Sequence, residues 1–160
     1  MAASVVHTNP WFSISLTAIA AQRLYRVERS DSAMIVGRTP DERILVLRGT
    51  RDTTGGASFY EFPCGAIEAD ESPADAAIRE TREESGFSAS SLVALGSFVE
   101  SPGISASRCH AFSATLAAAH SAALEPGEGG LDSIVGNSGR TLGAGQQGGE
   151  MSLTAARSPR

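Results

Sequence analysis

Glu80, Glu83 and Glu84 place three carboxylates inside a five-residue span. On a helix with about 3.6 residues per turn they share one narrow arc. Glu80 and Glu84 are a like-charge i,i+4 pair, which destabilises an isolated helix by about 0.2–0.5 kcal/mol. A cation among them removes that repulsion. Hard divalent cations such as Mg²⁺ choose oxygen ligands and bind substrate phosphates together with carboxylates. Such a centre can orient a water, neutralise a diphosphate and stabilise charge on a leaving oxygen. Taken alone, the three glutamates favour a solvated acidic face with Arg79 and Arg82 as partners. Only the spacing around them turns the reading toward chemistry.

The carboxylates need a helix to carry them, and the local sequence supplies one. Ser72 suits an N-cap, Pro73 suits the first helical position, and Asp75 falls in the first turn. Gly86 can close the helix in the left-handed conformation. The prediction is a helix over residues 73–85, with Ala74, Ile78, Thr81 and Ser85 on one side and the glutamates on another. Upstream, WFSISLTA from Trp11 alternates apolar and polar residues, as a strand does. Leu24, Tyr25 and Val27 mark a second strand. Residues 33–36 and 44–47 are apolar runs joined by a hairpin turn at 39–42, and a turn at 52–56 precedes a strand over 58–62. Downstream, 92–99 and 110–116 read as strands, with Ser101-Pro102-Gly103 in the loop between them. Residues 1–10 read as a loose arm.

The 160 residues suffice for one domain with its own core. The composition, 41% hydrophobic and 19% charged, lies in the globular range. A net charge of −5 disfavours a phosphate-coated partner such as duplex DNA, so no nucleic acid is expected. Two cysteines, Cys64 and Cys109, make no disulfide framework and no zinc-ligand spacing, which fits a reduced, cytoplasmic setting. No apolar run approaches the length of a membrane span, and the apolar stretch over 11–21 lacks the preceding basic region of a secretory signal. Residues 125–160 hold nine of the 17 glycines and no aromatic residue, with Leu131, Ile134 and Val135 as the only cluster of apolar bulk. Such a tail cannot offset its ordering entropy, so it is expected to be mostly disordered.

The helix belongs to a longer pattern, GAIEADESPADAAIRETREESGF, from Gly65 to Phe87. Gly65, Glu71, Arg79, Glu80, Glu83, Glu84 and Gly86 match all seven fixed positions of the Nudix box. At about 7% usage per position, chance agreement is on the order of 10⁻⁸ per starting position. Phe87 meets the final apolar position. Thr81 stands where a bulky aliphatic residue is usual, which predicts softer packing beneath the helix. The chain therefore resembles the Nudix hydrolases, whose fold is an α/β/α sandwich with a mixed sheet. The resemblance implies Mg²⁺ or Mn²⁺ bound by Glu80, Glu83, Glu84 and the backbone carbonyl of Cys64, with Glu83 and Glu84 catalytic. Gly65 would allow a tight turn, and Gly86 closes the helix. Arg79 would hold a glutamate through a charge-assisted bond, and Glu71 would support the loop before the helix.

Flanking residues resemble the ADP-ribose pyrophosphatase branch. Leu45-Val46-Leu47-Arg48-Gly49-Thr50-Arg51 is similar to its apolar strand leading to an arginine, which makes Arg51 a candidate phosphate contact. Gly49-Thr50 departs from the branch's usual Gln-Tyr. Glu61-Phe62-Pro63-Cys64-Gly65 resembles the residues that lead into its box. Pro102 lies 15 residues after Phe87, and Ser101-Pro102-Gly103 followed by Ser105 resembles its substrate loop. The implied reaction is hydrolysis of ADP-ribose to AMP and ribose 5-phosphate. The alternatives are a dinucleoside polyphosphate or nucleotide sugar as substrate, or a catalytically impaired nucleotide-binding domain. Trp11 and Phe12 are candidates for the core or for a homodimer contact. The resemblance covers residues 11–124. Relatives continue with an acidic loop, a strand and a closing helix; here Glu128, then Glu125, are the candidate bases, and the C-terminal strand and helix are expected to be missing or replaced.

Overall fold

The computed structural model describes residues 3–118, 132–137 and 154–155. Two sheets and one helix make up the described part. The first sheet is antiparallel, ordered β1 (Ser4–Thr8), β2 (Phe12–Ile19) and β3 (Gln22–Arg29). β2 and β3 pair without a break from Phe12 opposite Arg29 to Ile19 opposite Gln22. The alternation that begins at Trp11 thus becomes a strand. β1 falls within the segment read as a loose arm. All five of its residues are exposed, so it is an edge strand held by backbone pairing, with no burial pattern to mark it in the sequence.

The second sheet is mixed. It contains β4 (Ser32–Arg38), β5 (Arg43–Thr50), β6 (Ser58–Glu61), β7 (Cys64–Ala66), β8 (Phe87–Val99), β9 (Arg108–Ala118), β10 (Asp132–Asn137) and β11 (Thr154–Ala155). Its order is β11-β10-β5-β4-β9-β8, with β6 paired to β5 and β7 to β4. β4 runs parallel to β9 over its full length, from Ser32 opposite Cys109 to Arg38 opposite Thr115. Its other edge meets β7 at one end and β5 at the other. A strand paired on both edges is buried, which explains the apolar run there. β10 pairs with β5 from Asp132–Arg48 to Asn137–Arg43. This segment lies in the tail for which no closing strand was expected; its β-branched Ile134-Val135 pair suits extended backbone. Glu125 and Glu128 lie outside the described residues, as does most of the tail.

The helix α1 (Pro73–Ser85) has the predicted bounds. Ser72 Oγ accepts the Asp75 amide at 3.1 Å, and Gly86 closes the last turn at φ 72°, ψ 8°. The buried face is rotated from the prediction. It consists of Ala76, Ala77 and Thr81; of the side read as Ala74, Ile78, Thr81 and Ser85, only Thr81 is buried. Ala76 and Ala77 join Ala33, Ile35, Leu45, Ala114 and Leu116 in the core. The sheet face beneath mixes alanines with Ile35, Leu45 and Leu116 and is closely fitted. A Cβ on Gly37 would lie 2.4 Å from Leu116 Cδ1.

Candidate active site

The helix N-cap and the short strand β7 set the stage. β7 pairs with the first half of β4, Ala33 opposite Gly65 and Met34 opposite Cys64, so residues 64–65 are fixed against the sheet. α1 packs against both strands. Its carboxylates meet that pair of residues directly. The Cys64 amide donates to Glu84 Oε2 at 3.0 Å. A Cβ on Gly65 would lie 2.0 Å from the Glu80 carboxyl carbon. Any side chain at 65 would therefore displace Glu80. This close approach, rather than backbone conformation, is the physical reason for a glycine here.

Arg79 ties the remaining acids together. Its Nε and Nη2 donate to the two oxygens of Glu71, each at 2.9 Å, in a bidentate pair. Nη2 also donates to the Ala66 carbonyl at 3.0 Å. Nη1 donates to Glu80 Oε1 at 2.7 Å and Glu83 Oε2 at 3.1 Å. Hydrogen bonding from Arg79, then from the Glu68 amide, holds the Glu71 carboxyl below the usual carboxylate range. The same Glu71 bond, ahead of those from Glu80 and Glu83, makes the guanidinium harder still to deprotonate. Glu71 thus bridges the loop before the helix, through Glu68, to the helix itself.

Seven of the residues singled out in the sequence come together here: Cys64, Gly65, Glu71, Arg79, Glu80, Glu83 and Glu84. Gly86 ends the helix nearby in the chain. Glu83 is the most open of the acids, its side chain 46% exposed against 15% for Glu80. Thr81 lies fully buried on the opposite side, and its hydroxyl donates to the Ala77 carbonyl at 2.8 Å. The Cys64 thiol is pushed up to about 12, by burial first and then by neighbouring Cys109, so it stays protonated near neutrality.

The other candidates have different surroundings. Arg51 follows β5, where its Nη2 donates to Glu61 Oε1 at 3.0 Å and its guanidinium lies 5.4 Å from the Phe59 ring centre. Pro102 and Gly103 form the exposed tip of the β8–β9 loop. His110, near the start of β9, lies 3.5 Å from Asp31. Sequence reasoning missed Arg29, Glu100 and Ser107, which together with Ser105 hold the base of that loop. Arg29 and Ser107 are 78 positions apart, so no local spacing could have paired them.

Oxygen donors of this kind fit a hard divalent cation, and the absent Cβ at Gly65 leaves the Glu80 carboxyl its place beside β7. Among the described residues, no three His, Cys, Asp or Glu side chains are already drawn into a cage for an ion. Arg79 Nη1 supplies the positive charge between Glu80 and Glu83.

The structure of an ADP compounds hydrolase superposes with a TM-score of 0.67 at 22% identity, covering 84% of this chain and 75% of that one. At that identity the likeness concerns the fold. An octanoyltransferase of Myxococcus xanthus is 46% identical over 55 residues, which is 34% of this chain. The match spans only 15% of that enzyme's length. The NUDIX domain family model matches residues 28–135, a stretch that contains the whole helix, strand β7 and the Arg79 network. The chain belongs to the Nudix family.

Proposed function

We propose that this protein is a metal-dependent Nudix pyrophosphohydrolase that cleaves the diphosphate of ADP-ribose or a related nucleoside diphosphate derivative, releasing a nucleoside monophosphate. The observation that carries the reading is the convergence of Glu80 and Glu84 on strand β7 at residues 64–65, with Glu83 linked to Glu80 through Arg79. Nudix hydrolases generally use divalent metals. Mg²⁺ or Mn²⁺ bound by Glu80, Glu83, Glu84 and the Cys64 carbonyl would neutralise the diphosphate and acidify a water.

The chain's own groups have separate tasks in this proposal. Glu71 and the Ala66 carbonyl anchor one side of Arg79, leaving Nη1 to hold Glu80 and Glu83 in position. Glu83, the most exposed of these acids, can turn from Arg79 toward a ligand without disturbing the core. Arg51 is the proposed phosphate contact, and Pro102 and Gly103 the proposed contacts to the rest of the substrate. Glu83, Glu84 and Glu128 are the proposed catalytic carboxylates, one of them taking the proton from water. The working setting is cytoplasmic, where the two free thiols stay reduced. Among the described residues no helix is long and apolar enough to cross a membrane. Trp11, 79% exposed, is the proposed homodimer contact.

The test is a panel of nucleoside diphosphate derivatives assayed with Mg²⁺ and with Mn²⁺. AMP release from ADP-ribose is expected, reduced by about 10²–10⁴-fold in Glu83→Gln or Glu84→Gln. A clear preference for dinucleoside polyphosphates or nucleotide sugars would replace the substrate. Folded protein that binds nucleotides without turnover under any divalent metal would overturn the enzymatic reading.

A further inference from the structure

The loop from Glu100 to Ser107 is closed at its base and open at its tip. The Glu100 amide donates to the Ser107 carbonyl at 3.4 Å, bringing the two ends together. The Ser101 carbonyl accepts the amides of Ile104 at 2.9 Å and Ser105 at 2.8 Å, which forms a tight turn. Ser105 and Ser107 are 8% and 7% exposed, and their hydroxyls lie 2.8 Å apart. Pro102 and Gly103 protrude from this base; a Cβ on Gly103 would meet nothing within 4 Å.

The base is gripped by β3, a strand of the other sheet. Val27 donates its amide to the Ile104 carbonyl at 2.7 Å. Arg29 makes an ion pair with Glu100 and donates through Nε to Ser107 Oγ at 3.3 Å. One guanidinium therefore spans both ends of the loop. A planar fork with several fixed donors can do this, whereas an ammonium acts as a single point.

We infer that Arg29 is a positioning residue for substrate: by clamping Glu100 and Ser107 it fixes the base of the loop and so sets where Pro102 and Gly103 meet the substrate. The inference rests on the proposed role of that tip. It makes the three-stranded N-terminal sheet part of the specificity machinery, although none of the helix carboxylates lies on it. Ground-state contacts of this kind act on substrate binding more than on the chemical step, so their loss raises KM and leaves kcat near its starting value.

The experiment compares wild-type protein with Arg29→Gln, Arg29→Lys, Glu100→Gln and the double variant Arg29→Gln/Glu100→Gln. Steady-state kinetics with ADP-ribose are measured beside amide hydrogen exchange at Val27, Ile104 and Ser105. Arg29→Gln is expected to raise KM about tenfold with kcat within about twofold, and to speed exchange at those three amides. Arg29→Lys should recover part of the KM. Glu100→Gln should reproduce the KM effect, and the double variant should add little to either single change. Faster exchange with unchanged KM would show a purely structural clamp and overturn the inference while leaving the proposed function standing. Wild-type protein that neither binds nor hydrolyses ADP-ribose would overturn both.

Discussion

The helix site and the β8–β9 loop are built on opposite plans. Around α1, the groups that must meet are near one another in the chain. Arg79 reaches Glu71, Glu80 and Glu83 within eight residues, and Glu84 reaches back 20 to Cys64. Around the loop, Arg29 meets Glu100 and Ser107 across 71 and 78 residues. The first arrangement follows from forming one turn, one cap and one helix. The second exists only after two sheets have come together. Errors in the first should therefore damage chemistry directly, and errors in the second should loosen the grip on substrate while leaving the carboxylates in place.

Three changes at the helix sharpen that contrast. The largest effect is expected from Gly65→Ala. The new methyl needs the space held by the Glu80 carboxyl, so Glu80 must leave β7. Turnover should fall toward 100-fold, the upper end of the usual cost of disturbing a group that orients a metal ligand. Assay and thermal unfolding together will check this; full activity in a folded variant would separate Glu80's position from the chemistry.

Glu71→Gln comes next. It removes the charge behind the bidentate Arg79 pair and should lower turnover about tenfold. It also changes the response to acid. A carboxyl depressed on folding contributes stability above its unfolded pKa of about 4.3. That contribution is lost as pH falls through the lower folded value. Denaturant midpoints measured from pH 6 down to pH 3 should therefore decline less steeply in Glu71→Gln than in wild type.

The smallest effect belongs to Ser72→Ala. Losing the cap on the Asp75 amide should cost about 1 kcal/mol of stability by urea unfolding. Turnover per folded molecule should not change, since Ser72 contacts none of the site acids in this network.

The same contrast explains what the sequence made legible. Ser72, Pro73 and Gly86 marked both ends of α1 because caps are local events. The seven box residues marked the site because each acts within 23 positions of the others. The buried helix face was harder to read. Ala74, Ala76 and Ala77 carry identical side chains, so packing against the sheet chooses among them. β1 escaped notice because its five residues are all exposed and follow no alternation of burial. The register shifts between Ser90 and Val93 and between Ala94 and Gly96 hid the length of β8, which begins at Phe87 rather than residue 92. Arg29 carries no signal of its own among the surface arginines. Its role appears only when β3 is laid against the loop.

The two cysteines carry a practical consequence. Reagents that attack sulfur need the thiolate. Cys64 is held protonated by burial, and Cys109 is 1% exposed. The native chain is therefore a quiet background for site-directed labelling. A cysteine introduced at an open surface position would take a fluorophore or spin label ahead of both natural thiols, and loop motion during substrate capture could be followed without first stripping the protein of its own sulfur.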